Sequence, residues 1–333
     1  MAASVSCCRR LSIGAQGKEL LAAVDSFLFD CDGVMWDGAR AIGGAAEVVS
    51  ALKARGKRVY FVSNNCTRSR EMYLRKFEAL GFQVQRDEVF GTAHCCALYL
   101  RDTAGLRGKV YVLGSEGLCS ELRSAGISVL GGVREEDEGL AVSECVLDSE
   151  VRAVLVGYDE NFSFVRLAKA CGYLKNPDCL FLATDPDPWH PLTGGTVVPG
   201  LKPLNPSTEE GEHFTSRITC TARPGTGSLT AAVEVASNRK AEVIGKPSRF
   251  MFDCIACNSG GLDPARALMV GDRLETDILF GVNCGMQTVL TLTGVSSLRE
   301  AQANMASDRP SQRKMVPNFY VDSVADFLPL LKD

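Results

Sequence analysis

Short apolar runs recur along the chain, and most of them end in polar residues or glycine. The first run, at 27–29, leads directly into Asp30, and runs at 58–62, 241–245 and 267–270 end in the same way. Continuous apolar runs of this length are typical of strands that are buried on both faces of a parallel sheet. Segments with the helical spacing of apolar residues separate the runs. The pattern therefore predicts an α/β fold in which these four strands share one sheet.

The middle of the chain repeats the alternation of strands and helices. Strands are predicted at 110–113, 153–157 and 179–184, with helices at 116–125 and 163–174. Strand and helix units that alternate in this way indicate a second, smaller α/β domain between the two parts of the first one.

Two segments of this middle region have no usable periodicity. Residues 185–192 contain three prolines and predict a stiff, irregular loop that displays Trp189 and His190. These side chains suit stacking on an aromatic ring or hydrogen bonding to it, although a solvated surface loop is the alternative reading of His190. Residues 201–225 are polar, rich in Pro and Thr, and bounded by two Pro-Gly pairs. We interpret them as an insertion that the domain does not need.

Composition narrows the class of protein. A length of 333 residues fits two domains, and a net charge of −4 gives no electrostatic footprint for nucleic acid or an anionic membrane. No run approaches the ~20 apolar residues that span a bilayer, and the polar N-terminus lacks an apolar signal region, so we expect a cytoplasmic protein with reduced thiols. Of the 14 cysteines, Cys254 and Cys257 have zinc-like spacing but no second pair nearby, which favours a helical face over a metal site.

Polar side chains follow four of the predicted strands, and they supply the candidate chemistry. In chain order they are Asp30 and Asp32, Ser63 with Asn64 and Asn65, Lys246, and Asp272 with Asp277. The carboxyl edge of an open α/β sheet is where such folds bind ligands. Two adjacent carboxylates resist ionising together unless a cation joins them or one keeps its proton. Taken singly, each of these four groups of residues could also be an acidic loop or a helix cap. The functional interpretation therefore depends on their occurring together.

With these four groups of polar residues in this order, the chain resembles the haloacid dehalogenase-like phosphohydrolases. Asp30-Cys31-Asp32-Gly33-Val34, Ser63-Asn64-Asn65, Gly245-Lys246-Pro247 and the segment from Gly271 to Asp277 match the four motifs of that family. The resemblance implies a Rossmann-like, doubly wound parallel sheet core with a large inserted α/β cap. It assigns residues 1–103 and 241–333 to the core and residues 104–240 to the cap.

The resemblance also implies a role for each of these groups of polar residues. Asp30 would be the nucleophile and Asp32 the general acid and base. Mg²⁺, which prefers oxygen ligands, would be held by Asp30, Asp272 and the backbone carbonyl of Asp32, with Asp277 in support. Ser63, Asn64, Asn65 and Lys246 would bind the phosphate or the substrate.

Within the family, the chain resembles two related groups of small-metabolite phosphatases. One acts on pyridoxal 5′-phosphate and the other on 2-phosphoglycolate or glycerol 3-phosphate. His190 in its proline-rich loop favours the first group, because the second has an aliphatic residue there, whereas residues 314–317 resemble the second group. The resemblance further implies a homodimer formed through the cap, and it leaves a phosphoprotein substrate open. An alternative that is not an enzyme is a catalytically idle scaffold that only binds partners. The intact cluster of charged residues argues against this alternative, because a scaffold gains nothing from burying charges.

Overall fold

The computed structural model describes residues 8–12, 14–133, 142–191 and 222–332. In this part of the chain the strands are β1 (Arg9–Arg10), β2 (Ser26–Phe29), β3 (Trp36–Asp37), β4 (Arg40–Ala41), β5 (Arg58–Ser63), β6 (Val89–Gly91), β7 (Lys109–Leu113), β8 (Ser128–Gly131), β9 (Val151–Val156), β10 (Leu180–Ala183), β11 (Trp189–Pro191), β12 (Ala222–Pro224), β13 (Glu242–Val243), β14 (Ala267–Gly271), β15 (Gln287–Thr291) and β16 (Phe319–Val321). The α-helices are α1 (Ala15–Ala23), α2 (Ala45–Ala54), α3 (Arg70–Ala79), α4 (Thr92–Leu98), α5 (Glu116–Ser124), α6 (Phe164–Leu174), α7 (Thr226–Ser237), α8 (Phe250–Asn258), α9 (Leu279–Cys284), α10 (Leu298–Ala306) and α11 (Pro310–Arg313).

The core is a parallel sheet whose strand order, among the described residues, is β1-β16-β15-β14-β2-β5-β6. Its central strand β2 is buried on both faces, as its apolar run predicts. Phe27 and Phe29 pack on one face with α2 and α3, whereas Leu28 packs on the other with α4 and α8. Helices on both faces make the sheet doubly wound, which confirms the predicted fold class.

A second parallel sheet, with the order β13-β10-β9-β7-β8, forms the unit that we call the cap. One face packs against α6 and α7 through residues such as Tyr173 and Val233. The other face packs against α5, and α5 in turn contacts α4 of the core, so apolar residues run without a break from one unit into the other. This shared packing fixes the cap over the carboxyl edge of the core sheet.

The predicted strand at 241–245 is placed differently from the prediction. It is reduced to β13, and it pairs with β10 of the cap rather than with the core sheet. The backbone amides of Ile244 and Gly245 continue this pairing by donating to Ala183 and Thr184. The prediction that the strand returns to the first sheet is therefore wrong. A short apolar run fixes a buried strand but not its partner, and this strand belongs to the cap up to the residue before Lys246.

The loop at 185–192 and the end of the predicted insertion also differ from expectation. β11 pairs antiparallel with β12, so Trp189 and His190 lie on a short two-stranded ribbon rather than in a fully irregular loop. The predicted insertion at 201–225 is therefore too long, because Ala222–Pro224 and Gly225 belong to the ordered cap. Its remaining residues, 201–221, lie outside the described ranges. Helix α8 does contain Cys254 and Cys257, as predicted.

None of the helices in the described ranges combines the length and the apolar character that crossing a bilayer requires.

Candidate active site

The ends of three core strands, β2, β5 and β14, meet at the carboxyl edge of the core, and Lys246, which follows the cap strand β13, lies between them. Its side chain is buried, and its ammonium group donates to Asp30 Oδ1 at 2.6 Å, Asp277 Oδ1 at 2.6 Å and the carbonyl oxygen of Val62 at 2.8 Å. Although burial alone would lower the pKa of Lys246, the carboxylates of Asp277 and Asp30 raise it. The lysine is therefore held as a cation at the floor of the site.

Three carboxylates cluster beside this cation, two of them in contact with it. Asp30, Asp272 and Asp277 each offer an oxygen atom within 4.8 Å of the others, and all three residues are buried. Burial raises the pKa of Asp30 well above its usual range, and Asp277 and Asp272 raise it further against the attraction of Lys246. Burial and Asp277 raise the pKa of Asp272 to about 7. The cluster thus carries more carboxylates than one lysine can balance, which is the electrostatic condition for a cation site.

Two glycines leave room around Asp272. A Cβ atom at Gly33 would lie 2.5 Å from Asp272 Oδ2, and one at Gly294 would lie 1.8 Å from it. Gly33 also has a φ of 85°, a conformation that side chains with a Cβ rarely adopt. Asp272 Oδ2 accepts a hydrogen bond of 2.7 Å from the backbone amide of Val295. The glycines at these two positions are therefore required by the close approach of the backbone to this carboxylate.

Asp32 lies at the mouth of the cluster and is less buried, with 45% of its side chain exposed. The indole nitrogen of Trp36 donates to Asp32 Oδ1 at 2.8 Å, and the amide of Asn65 donates to Oδ2 at 3.4 Å. The ammonium of Lys76 lies 3.9 Å from Oδ1 and 4.0 Å from the centre of the Trp36 ring. Asp32 is thus oriented by polar neighbours and remains open to solvent.

The polar residues at the end of β5, Ser63 to Asn65, are held mainly by contacts within the protein. The hydroxyl groups of Ser63 and Tyr73 lie 2.8 Å apart, and the backbone amide of Asn65 donates to Ser63 Oγ at 3.2 Å. The side chain of Asn64 accepts from the backbone amide of Lys246 at 2.8 Å and donates to its carbonyl at 2.9 Å. Asn64 therefore fixes the backbone of Lys246, a contact that the sequence did not predict.

A cavity of about 740 Å³ opens between the core edge and the cap. All nine predicted site residues line it: Asp30, Asp32, Ser63, Asn64, Asn65, His190, Lys246, Asp272 and Asp277. The ring of His190 meets that of Tyr158 edge to face, with centroids 5.8 Å apart. This aromatic pair stands on the cap side, across the cavity from the carboxylates.

Sequence reasoning missed several residues of this cavity: Trp36, Lys76, Tyr158, Asp187 and Arg273. For Tyr158 a signal existed, because it comes two residues after the end of β9, and strand ends of the cap face the core edge. Arg273 directly follows Asp272, but it is basic and so gives no signal of a metal ligand. Lys76 comes from the last turn of α3, where no strand end points to it.

Comparison with known proteins identifies the class that this fold and site define. Residues 27–128 match the family described as haloacid dehalogenase-like hydrolase, and residues 243–327 match the related HAD-hydrolase-like family. The chain belongs to the haloacid dehalogenase-like hydrolases, and its similarities lie with the phosphatases of that family.

The similarities extend to individual proteins. The chain is 47% identical to chronophin from Mus musculus, covering 98% of this chain and 99% of that protein. It is 46% identical to glycerol-3-phosphate phosphatase from Mus musculus, covering 98% and 96%. Among solved structures, a 4-nitrophenylphosphatase from Thermotoga maritima is 25% identical with a TM-score of 0.70, covering 92% of this chain and 97% of that one. A glycerol phosphate phosphatase from Mycobacterium tuberculosis, solved in complex with magnesium, shares the fold at 24% identity and a TM-score of 0.68, covering 92% and 77%.

Proposed function

We propose that the protein is a Mg²⁺-dependent phosphomonoester hydrolase that works through an aspartyl-phosphate intermediate. The observation that carries this proposal is the buried cluster of Asp30, Asp272 and Asp277 around Lys246 at the floor of an open cavity. A phosphate monoester is an anion that hydrolyses very slowly in water, so its enzyme must supply positive charge and a nucleophile in line with the leaving group.

The donor set of the cluster fits magnesium. It consists of oxygen atoms only, and it holds three carboxylates against one lysine. Asp30, Asp272 and the backbone carbonyl of Asp32 would hold the ion, with Asp277 in support. When bound, Mg²⁺ would neutralise negative charge on the transferring phosphoryl group.

The side chains of the site divide the reaction into two displacements. In the first, a carboxylate oxygen of Asp30 forms a bond to phosphorus while the bond to the ester oxygen breaks, and Asp32 gives its proton to the departing alkoxide. In the second, Asp32 takes a proton from water, the water oxygen bonds to phosphorus, and the bond to Asp30 breaks. Lys246 keeps a positive charge beside Asp30 throughout both steps.

For the substrate, we propose pyridoxal 5′-phosphate. The groups around Asp30 meet only the phosphate, so the cap must distinguish one monoester from another. Tyr158 and His190 both line the cavity, and their rings meet edge to face. A flat heteroaromatic ring with polar substituents can pack against such a pair, whereas 2-phosphoglycolate and glycerol 3-phosphate offer no ring. These small monoesters are the alternative substrates, since a relative named glycerol-3-phosphate phosphatase is 46% identical to this chain, against 47% for chronophin.

Comparison of kcat/KM for pyridoxal 5′-phosphate, 2-phosphoglycolate, glycerol 3-phosphate and 4-nitrophenyl phosphate tests this proposal, with and without Mg²⁺. Turnover of none of them would favour the idle scaffold. The variant His190→Leu should lower kcat/KM for pyridoxal 5′-phosphate by roughly ten- to a hundredfold, because one polar contact is lost. The rate with glycerol 3-phosphate, which has no ring to pack against this pair, serves as the internal control. Equal losses on both substrates would reduce His190 to a structural role.

We also propose that the protein forms a homodimer through its cap. Phe164 on α6 and Val235 on α7 are 74% and 83% exposed, which is high for large apolar side chains. Light scattering should therefore give twice the chain mass. Val235→Glu should produce a monomer, whereas Met305→Glu on the core helix α10 should not. A wild-type monomer at micromolar concentration would refute the proposal.

A further inference from the structure

Arg273 joins the phosphate end of the core to the cap strand that carries His190. It follows β14 and Asp272, and 8% of its surface is exposed. One terminal nitrogen lies 2.6 Å from Asp187 Oδ1, and the other donates to the carbonyl oxygen of Trp189 at 3.0 Å. The guanidinium carbon also lies 4.9 Å from the centre of the Trp189 ring. A single core side chain thus makes three contacts with one short cap segment.

The partner of Arg273 is fixed as well. Asp187 Oδ2 accepts a hydrogen bond of 3.4 Å from the amide of Asn64, which follows β5. The same carboxylate therefore contacts the core at the ends of both β5 and β14. The backbone of Asp187 and Pro188 is tied to the start of α7, because Gly227 and Gly225 donate to their carbonyls. A Cβ atom at Gly225 would lie 2.3 Å from the Asp187 carbonyl oxygen. The segment before His190 therefore has little freedom once Arg273 is engaged.

The chemistry of these contacts requires arginine. A guanidinium group is planar and offers several donors in a fixed fork, so it can bind a carboxylate, a carbonyl and a ring face at once. A lysine offers a point charge that satisfies the carboxylate alone. Asp187 also raises the pKa of Arg273, against the effect of burial, which keeps the guanidinium charged.

We propose that Arg273 is a positioning residue that sets the distance between the phosphate site and the aromatic pair of Tyr158 and His190. It would thereby determine the selectivity of the enzyme for ring-bearing phosphomonoesters. The selectivity part of this inference rests on the proposed function, whereas the positioning part rests only on the contacts of Arg273.

The test compares Arg273→Gln and Arg273→Lys with the wild-type protein. Arg273→Gln should raise KM for pyridoxal 5′-phosphate by about tenfold or more, since the loss of a polar contact of this kind costs roughly ten- to a hundredfold. Its kcat with glycerol 3-phosphate, which has no ring to pack against the pair, should stay within about threefold of wild type, because the nucleophile and the cation cluster are intact. Arg273→Lys should recover part of the KM loss, as it keeps the ion pair with Asp187. Asp187→Asn should match Arg273→Gln, and the double variant should be no worse than either one.

A matched control lies at the other end of the same strand. Arg266, directly before β14, forms an ion pair with Asp25 on the protein surface, with Arg266 Nη2 2.8 Å from Asp25 Oδ1. Arg266→Gln should leave KM for both substrates unchanged. Tryptophan fluorescence gives a second readout, because the chain has two tryptophans and Trp36 is fully buried. Acrylamide quenching should increase in Arg273→Gln as Trp189 loses its cover, and not in Arg266→Gln.

The outcomes separate the inference from the proposed function. Increased quenching together with the selective rise in KM supports both. Equal losses of kcat on both substrates with unchanged quenching would overturn the positioning role. They would indicate instead that Arg273 supports its neighbour Asp272. A wild-type enzyme without preference for pyridoxal 5′-phosphate would refute the proposed substrate, while the quenching comparison would still support or overturn the positioning role.

Discussion

The substitution Asp277→Asn tests how the charged cluster is organised. Asp277 is 1% exposed, and its two oxygens accept from three donors. Oδ1 accepts from Lys246 Nζ at 2.6 Å, and Oδ2 accepts from the backbone amides of Asp272 at 3.2 Å and Arg273 at 3.0 Å. An asparagine has the same shape but only one acceptor oxygen. Whichever way its amide is turned, the NH₂ group faces a donor, either the ammonium or the pair of backbone amides.

The cost can be worked out from these contacts. A hydrogen bond to a charged group is worth about 1.5–3 kcal/mol, and the charge of Lys246 stays compensated because Asp30 remains its partner at 2.6 Å. We therefore expect Asp277→Asn to lower the free energy of unfolding by about 1.5–3 kcal/mol. Activity should fall at least roughly a hundredfold, because a displacement of about 1 Å at Lys246 and Asp272 is enough for such a loss.

Urea unfolding at pH 7.5 without metal measures the stability term, and initial rates with 4-nitrophenyl phosphate measure the activity term. Asp253→Asn is the matched control, since Asp253 pairs with Arg249 at 3.1 Å on the surface of α8, where both side chains are 53% exposed. The control should stay within about 0.5 kcal/mol of wild type. A loss below about 1 kcal/mol in Asp277→Asn, with a normal rate, would refute the reasoning that Asp277 organises the cluster.

Three further predictions follow, two from the same site and one from the buried pair of His94 and Glu121. Asp30→Asn should abolish phosphate release in a single-turnover assay without unfolding the protein, and Asp32→Asn should be severely impaired because an amide cannot exchange a proton in either step. The raised pKa of Asp272, about 7, means that the folded metal-free protein binds more protons than the unfolded chain from pH 4 to 7. Its stability should fall as pH rises through this window, and thermal shifts should show Mg²⁺ stabilising most above pH 7. Burial lowers the pKa of His94 beside Glu121, so wild type should lose more stability than His94→Gln as pH falls from 7.5 to 5.5.

The sequence predicted the core sheet well, because apolar runs that are buried on both faces leave a strong local signal. The helix at 163–174 was also predicted to within one residue of α6, since Ser163 caps its first turn by accepting from the backbone amide of Arg166. The polar residues at the carboxyl ends of these strands could be found in the same way. For Asp30, Ser63 and Asp272, their meeting in space follows from the parallel sheet alone, whereas Lys246 reaches them from the cap strand β13.

The rest depended on contacts between distant parts of the chain. The run at 241–245 has the same local pattern whether it joins the core or the cap, and only the pairing with β10 decides the matter. The ribbon of β11 and β12 joins segments separated by residues 192–221. Arg273 and Tyr158 gain their place in the cavity from the position of the cap over the core, and no periodicity encodes that position.

The central claim is that Asp30 becomes covalently phosphorylated during turnover. The most direct test is rapid acid quenching of the enzyme with ³²P-labelled substrate, followed by peptide mapping. We predict label on the peptide that contains Asp30 within the first turnover, and its loss in Asp30→Asn. Phosphate release without any labelled protein, or label on another residue, would contradict the account.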